Sequence, residues 1–262
     1  MEGRSALGKL RDRAFSVSVD SDQLRVADRI AGTPSEKPTT LTISVVQSRW
    51  DQDISTNTAR AKLQIARAAD LGAQVVVFPE AHLTTYDYPY AKSLTAAEIE
   101  KALRAVEETC SQHNVYAITG TLQYRSDREK LLNMAHVIAP TGQVVHEYAK
   151  IHLGGSVELA SCRRGQKISL FEIYGVPSSV IICRDGRHPD LTSLITMAGA
   201  EVIYQISNNC DTIEKSWWKD QAGRSSQPLS PRTANFHVCS NAVGFNRAGD
   251  QLTLVGQPYF VI

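Results

Sequence analysis

The 262-residue chain is nearly without net charge: 28 Lys and Arg against 27 Asp and Glu leave +1 at neutral pH. A balance so even gives no electrostatic footprint for nucleic acid or an anionic membrane, and neither is expected as a partner. The five cysteines, Cys110, Cys162, Cys183, Cys210 and Cys239, are odd in number, widely spaced and form no CxxC pair. A disulfide framework is thereby excluded, no zinc or other metal site is offered, and reduced thiols in the cytoplasm are the expectation. No apolar run approaches the roughly 20 residues of a membrane-spanning helix, and the N-terminal stretch lacks the apolar core of a secretion signal. The glycine-rich loops that cradle nucleotide phosphates are absent too, which argues against an ATP-dependent transferase.

What is present is an ordinary globular composition, 42% apolar and 21% charged, on a chain long enough for one sizeable α/β domain. Residues 1–40 read as an N-terminal extension ending in a polar linker, Gly32 to Thr40, with Pro34 and Pro38. The domain then runs over 41–262 and alternates strand-like with helix-like segments. Leu41 to Gln47 is a strand. A helix over Asn57 to Leu71, with Asn57 as its cap, precedes the apolar strand Ala73 to Phe78. Thr95 and Glu98 have capping-box spacing for a helix to His113, and Val115 to Gly120 is strand. Leu131 to Ile138 and Gln143 to Lys150 flank a turn, as do Ile168 to Ile173 and Ser178 to Cys183. Pro189 to Ala198 is helix, and Glu201 to Ile206 and Phe236 to Ser240 are strands.

Three chemistry-bearing residues each close an apolar strand: Glu80, Lys150 and Cys183. Sheet-based active sites gather at such ends, because strands hold the groups rigidly and loops complete the pocket. Cys183 is followed by the polar turn Arg184 to Asp190, an elbow that lifts a nucleophile out of the sheet towards a helix N-terminus. A thiol nucleophile needs a base, and a tetrahedral intermediate needs a cation or donors for its oxyanion. Glu80 and Lys150 supply those residue types.

These segments resemble the nitrilase superfamily of carbon-nitrogen hydrolases. Phe78-Pro79-Glu80 with Leu83, Thr84 and Tyr86 is similar to its glutamate motif, Tyr148 to Leu153 to its lysine motif, and Ile182 to Asp185 with Pro189 to its cysteine motif. Glu158 matches a second glutamate near the same site, Gly165 follows as in that pattern, and Asn241 to Gly244 resembles a late Asn-x-x-Gly element. The likeness spans roughly residues 41 to 256. It implies a four-layer αββα sandwich, assembly into homodimers or larger oligomers, and no metal or organic cofactor. It also implies a mechanism in which Glu80 takes the Cys183 proton, Cys183 attacks a small amide, and Lys150 with the Arg184 main-chain N–H holds the oxyanion. Glu158 would orient Lys150 or substrate and assist proton transfer.

Departures from the pattern refine this. Nitrile-cleaving members usually carry Trp-Glu after the cysteine, whereas Arg184-Asp185 stands here, which favours linear amides or N-carbamoyl compounds. Arg184 is a candidate for binding a substrate carboxylate, or for a solvent-facing pair with Asp185, and Tyr86 for lining the pocket mouth. The stretch Pro231 to Asn235 lacks the family's glutamate, and the chain reads as shortened at its C-terminus. Two alternatives stand beside the amidase reading: a catalytically silent binding or scaffold protein, and nitrile hydrolysis or acyl transfer on the same fold.

Overall fold

The computed structural model describes residues 40–124, 129–209 and 236–242, and the backbone of three further strands at 15–19, 24–28 and 260–261. Among the described residues, two sheets form the centre. The first has the order β3 (Ile43–Val45), β4 (Val75–Val77), β5 (Tyr116–Tyr124), β6 (Leu131–Ile138), β7 (Val144–Ala149). The second has the order β12 (Phe260–Val261), β11 (Phe236–Asn241), β10 (Val202–Ser207), β9 (Val176–Ile182), β8 (Lys167–Ile173), β1 (Phe15–Val19), β2 (Leu24–Asp28). Each sheet has three parallel strands, β3 to β5 and β9 to β11, continued by antiparallel neighbours. The sequence assigns no element before Leu41; the structure adds the β1–β2 hairpin there, paired to β8. The polar stretch 32–39, and residues 210–235 with Pro231 to Asn235 and Cys210, lie outside the described residues.

Among the described residues five helices cover the sheets: α1 (Ile54–Asp70), α2 (Tyr88–Ser93), α3 (Ala96–His113), α4 (Gly155–Ser161) and α5 (Pro189–Met197). Asp53, not Asn57, caps α1, accepting from the main-chain N–H groups of Ser55 and Thr56. Asn57 sits a turn further in, fully buried, and its amide donates to the carbonyls of Asp51 and Leu83. The Thr95–Glu98 capping box forms as expected, and α3 ends on left-handed Asn114.

Burial then assigns the layers. Ala61, Ile65 and Ala68 of α1 recur at helical spacing and pack with Val106 and Cys110 of α3 against Val76, Phe78 and Ala117 of the first sheet. Val75 and Val77 alternate to the opposite face, where they meet Phe171, Val180, Ile182, Tyr204 and Ile206 between the sheets. Leu191 and Ile195 of α5 cover the outer face of the second sheet at Ile181 and Ile203. The result is the αββα order that the sequence resemblance implies. Burying one side chain such as Ile65 contributes about 1.5–3 kcal/mol, so these three apolar seams hold the layers in register.

The sheets are also joined at the C-terminal ends of their parallel strands. Ser240 Oγ donates to the Val46 carbonyl at 2.7 Å, Ser48 bridges to Ala242, and the Glu80 N–H donates to the Ser207 carbonyl at 3.3 Å. That edge is where the chemistry-bearing residues gather.

Candidate active site

Glu80 follows β4 and turns back over β5. The turn uses uncommon backbone: Ala81 and Thr85 have φ of 52° and 67°. It passes so close to β5 that a side chain at Gly120 would run into the Ala81 main-chain nitrogen, so glycine is required there. The Glu80 side chain is thereby driven into the interior with no exposure.

Lys150, at the end of β7, is also buried. Its Nζ donates to Glu80 Oε1 at 2.7 Å and to both oxygens of Glu158 at 3.0 Å. Glu158 comes from the first turn of α4, a helix where the sequence shows only a polar stretch, and it also accepts from the Gly154 N–H. Asn133, in the middle of β6, donates to Glu80 Oε1 at 2.7 Å and Glu158 Oε1 at 2.8 Å. The Asn208 N–H donates to Glu80 Oε2 at 2.8 Å. Burial raises the pKa of Glu80, against the opposing pull of Lys150. Burial also works against the lysine charge, but Glu80, Cys183 and Glu158 outweigh it and hold the ammonium well above its usual range. The cluster is therefore a permanent cation between two carboxyl groups. Tyr86 closes one side, its ring centroid 5.9 Å from Nζ.

Cys183 directly follows β9 in left-handed backbone, φ 47°, and opens a 3-10 turn to Arg187. Strain of this kind persists only where the surroundings over-determine it. Asp185 does that: it is fully buried, and its carboxylate accepts from Tyr148 Oη at 2.7 Å, His152 N at 2.8 Å and Ile182 N at 3.1 Å. It thus ties the elbow directly to the strand that carries Lys150. His152 Nδ1 lies 3.1 Å from the same carboxylate, and His188 stacks on His152. The Arg184–Asp185 pair considered from sequence does not form, because Asp185 faces inward while Arg184 is exposed. The thiol donates to Asn209 Oδ1 at 3.6 Å, and Asn209 is fixed in turn by Asn241, whose side chain accepts from its N–H. Burial, then the Glu80 charge, pushes the Cys183 pKa up to about 12, while Lys150 pulls the other way.

The structure thus brings Glu80, Lys150, Glu158 and Cys183 to one place with Tyr86 beside them. Arg184 stands at its rim, its Cδ packed by Gly154 near Glu158. Asn133 and Asn209 are polar residues of the site that the sequence motifs do not single out, and Asp185, part of the cysteine motif, has an inward role that the sequence does not show. For Asn133 a signal exists: it is the first polar interruption of the strand Leu131–Ile138, whose residues are all buried.

With fold and site in hand, the class is defined: the sequence profile of the carbon-nitrogen hydrolases matches residues 42–260, and the chain belongs to that family, within the nitrilase superfamily. Amidases are among its particular relatives. It is 25% identical to the omega-amidase NIT2 of Danio rerio over 238 residues, 84% of this chain and 86% of that protein. It is 30% identical to the 2-oxoglutaramate amidase of Bacillus subtilis over 133 residues, 50% of this chain and 51% of that one. An amidase from Nesterenkonia sp. has the same fold, with TM-score 0.76 at 16% identity over 89% of this chain and 85% of that one. Among the described residues no helix is long and apolar enough to cross a membrane.

Proposed function

We propose that the protein hydrolyses a non-peptide carbon-nitrogen bond of a small linear amide or N-carbamoyl compound through a thioester on Cys183. The observation that carries this reading is the buried Glu80–Lys150–Glu158 cluster facing a thiol held in strained backbone. Charged groups are seldom buried together without a task, and clusters of this kind concentrate at active sites.

In this reading the thiol rests protonated, consistent with its raised pKa. When substrate enters, the S–H bond breaks, the proton passes to Glu80, and the sulfur attacks the amide carbon. Negative charge develops on the amide oxygen, where Lys150 and the Arg184 main-chain N–H stabilise it. The carbon-nitrogen bond then breaks and Glu80 returns the proton to the departing amine. Water, activated by the same carboxylate, cleaves the thioester and frees the acid. Glu158 holds Lys150 in place throughout. A structure of the Nesterenkonia amidase with the acetamide moiety of fluoroacetamide bound covalently at its active site cysteine supports the nucleophile role by analogy.

The named relatives direct the substrate towards amides, and 2-oxoglutaramate, for which the Bacillus relative is named, belongs first on any panel. It carries a carboxylate, and Arg184 at the rim is placed to meet one with a bidentate pair. Ammonia release from 2-oxoglutaramate, small aliphatic amides, N-carbamoyl amino acids and nitriles tests the reading. Wild type is expected to turn over at least one amide or carbamoyl compound, and Cys183→Ala to lose at least about 10³-fold of that rate while keeping its melting temperature. Absence of turnover in wild type, or its survival in Cys183→Ala, would overturn it.

A further inference from the structure

We propose that Asn133 is a positioning residue of this reaction: by dividing its two amide hydrogens between Glu80 and Glu158, it keeps Glu80 ionised with one oxygen open to the thiol proton. The inference rests on Glu80 being the base, as proposed above.

The argument is an inventory of donors and acceptors. Glu158 is saturated: Oε1 accepts from Lys150 and Asn133, and Oε2 from Lys150 and the Gly154 N–H. Glu80 is not. Its Oε1 accepts from Lys150 and Asn133, but among the described residues its Oε2 accepts only from the Asn208 N–H. A carboxylate oxygen has two lone pairs, so the vacant position on Glu80 Oε2 is where a proton leaving Cys183 can settle. Two carboxyl groups sharing one ammonium would otherwise contest it, and one of them would take up a proton. Asn133 removes that contest by adding two donors and no charge. Leucine would offer no donor, aspartate would need a proton of its own, and a second cation would compete with Lys150.

The amide's orientation has a single cause. Asn133 is buried, its main-chain carbonyl accepts from the Lys150 N–H at 2.9 Å, and its side-chain Oδ1 has no partner among the described residues. Turning the amide over would set that oxygen against both carboxylates, so the two glutamates alone hold it. The groups facing Glu80 are Lys150 from β7, Glu158 from α4, Cys183 from the elbow, Cys162 beyond α4, and Tyr86 and Tyr88 around the start of α2. Of these Lys150 alone is a cation, and with Asn133 it opposes the upward push of burial on Glu80. Losing the Asn133 donor therefore moves Glu80 ionisation to higher pH.

The test reads Cys183 directly and needs no substrate. The rate of alkylation of Cys183 by iodoacetamide is followed by mass spectrometry from about pH 5 to about pH 9 in wild type and in Asn133→Leu, with Cys183→Ala as the blank. The wild-type rate is expected to rise through an inflection below the ordinary thiol range. Asn133→Leu is expected to shift that inflection up by about one pH unit, with its plateau within about twofold of wild type. Where the leucine variant does not fold, Asn133→Ser, which offers one donor at most, is expected to shift it in the same direction. A variant that is slower by the same factor at every pH, with its inflection unmoved, would reveal a merely structural role and overturn this proposal alone. A wild type that reacts as an ordinary thiol with no such inflection would overturn the Glu80 base as well.

Discussion

The two halves of the site are held by different physics. On the lysine side, Glu80, Lys150, Glu158 and Asn133 are fixed by short hydrogen bonds between buried groups. The strands around Asn133 and Lys150 carry no left-handed residue; between 131 and 150 only Gly142, in the connecting turn, has positive φ, and the β6–β7 register shifts only at Val137/Ile138, near that turn. On the cysteine side the thiol has one long side-chain hydrogen bond, to Asn209, and a main-chain contact at Asn208, and its place is set by backbone strain and a 3-10 turn. Charge is positioned by shared hydrogen bonds, the thiol by a clamp. Changes on the first side should therefore appear in pH dependence, as proposed for Asn133, and changes on the second in geometry-sensitive rates.

Asp185 is the sharpest test of that contrast, and the largest effect among the further variants falls on it. Asp185→Asn preserves size but turns an amide NH2 towards donors that the carboxylate now accepts: Tyr148, Ile182 N and His152. At least one buried donor is left without an acceptor, which costs about 1–3 kcal/mol, and the elbow moves relative to Lys150. We expect kcat/KM to fall about 10²-fold, since displacements near 1 Å carry penalties of that size. The inflection of Cys183 alkylation should stay at its wild-type pH. If it moves instead, the division between a chemical side and a geometric side is wrong.

A smaller effect is expected where strand packing, not hydrogen bonding of side chains, sets the lysine. The Gly165 N–H donates to the Lys150 carbonyl at 2.7 Å, and a side chain at Gly165 would meet the Ala149 carbonyl. Gly165→Ala must push β7 away, with a destabilisation of about 2 kcal/mol by the usual magnitude of overpacking. Urea denaturation would read that loss. Because Lys150 is retained by Glu80 and Glu158 through its side chain, kcat should fall less than in Asp185→Asn. A larger fall would show that the side-chain bonds do not tolerate a shift of their strand.

These contrasts also explain what could be read before the structure. Glu80, Lys150 and Cys183 were legible because each closes an apolar strand, and the alternation of strand-like with helix-like segments was legible too, whereas the four-layer order came only from the family resemblance. The helices α2 and α4 were not, since six and seven residues are too few to show a helical apolar period. The β1 segment Phe-Ser-Val-Ser-Val does alternate as a strand should, yet it lies outside the motif-bearing region and its partner β8 is far along the chain. Asn57 has the composition of a cap, but Asp53 lies where the chain enters the helix and competes better for its N–H groups. Asp185 beside Arg184 reads as a local pair; only the fold reveals that the carboxylate faces inward to Tyr148.

The smallest expected effect concerns a residue two positions beyond Glu80 that shares its burial and contrasts with it in hydrogen bonding. His82 is as buried as Glu80, but among the described residues neither ring nitrogen has a hydrogen-bond partner, and the ring stacks on Phe78 with centroids 5.0 Å apart. Burial, with a contribution from Arg60, lowers its pKa to about 3. The folded chain therefore keeps this imidazole neutral while the unfolded chain binds a proton below about pH 6.5. Stability contributed by the neutral ring is present above that pH and is lost as the pH falls towards about 3. His82→Phe removes the titration and keeps the stack, so it should be near neutral at pH 7. At about pH 5 it should be more stable than wild type by up to about 2 kcal/mol, a window above most carboxylate titrations. Urea midpoints at the two pH values measure this. Parallel losses in both proteins would mean that the ring finds a proton acceptor on acidification, and the contrast between a saturated Glu158 and an unpartnered His82 would fail.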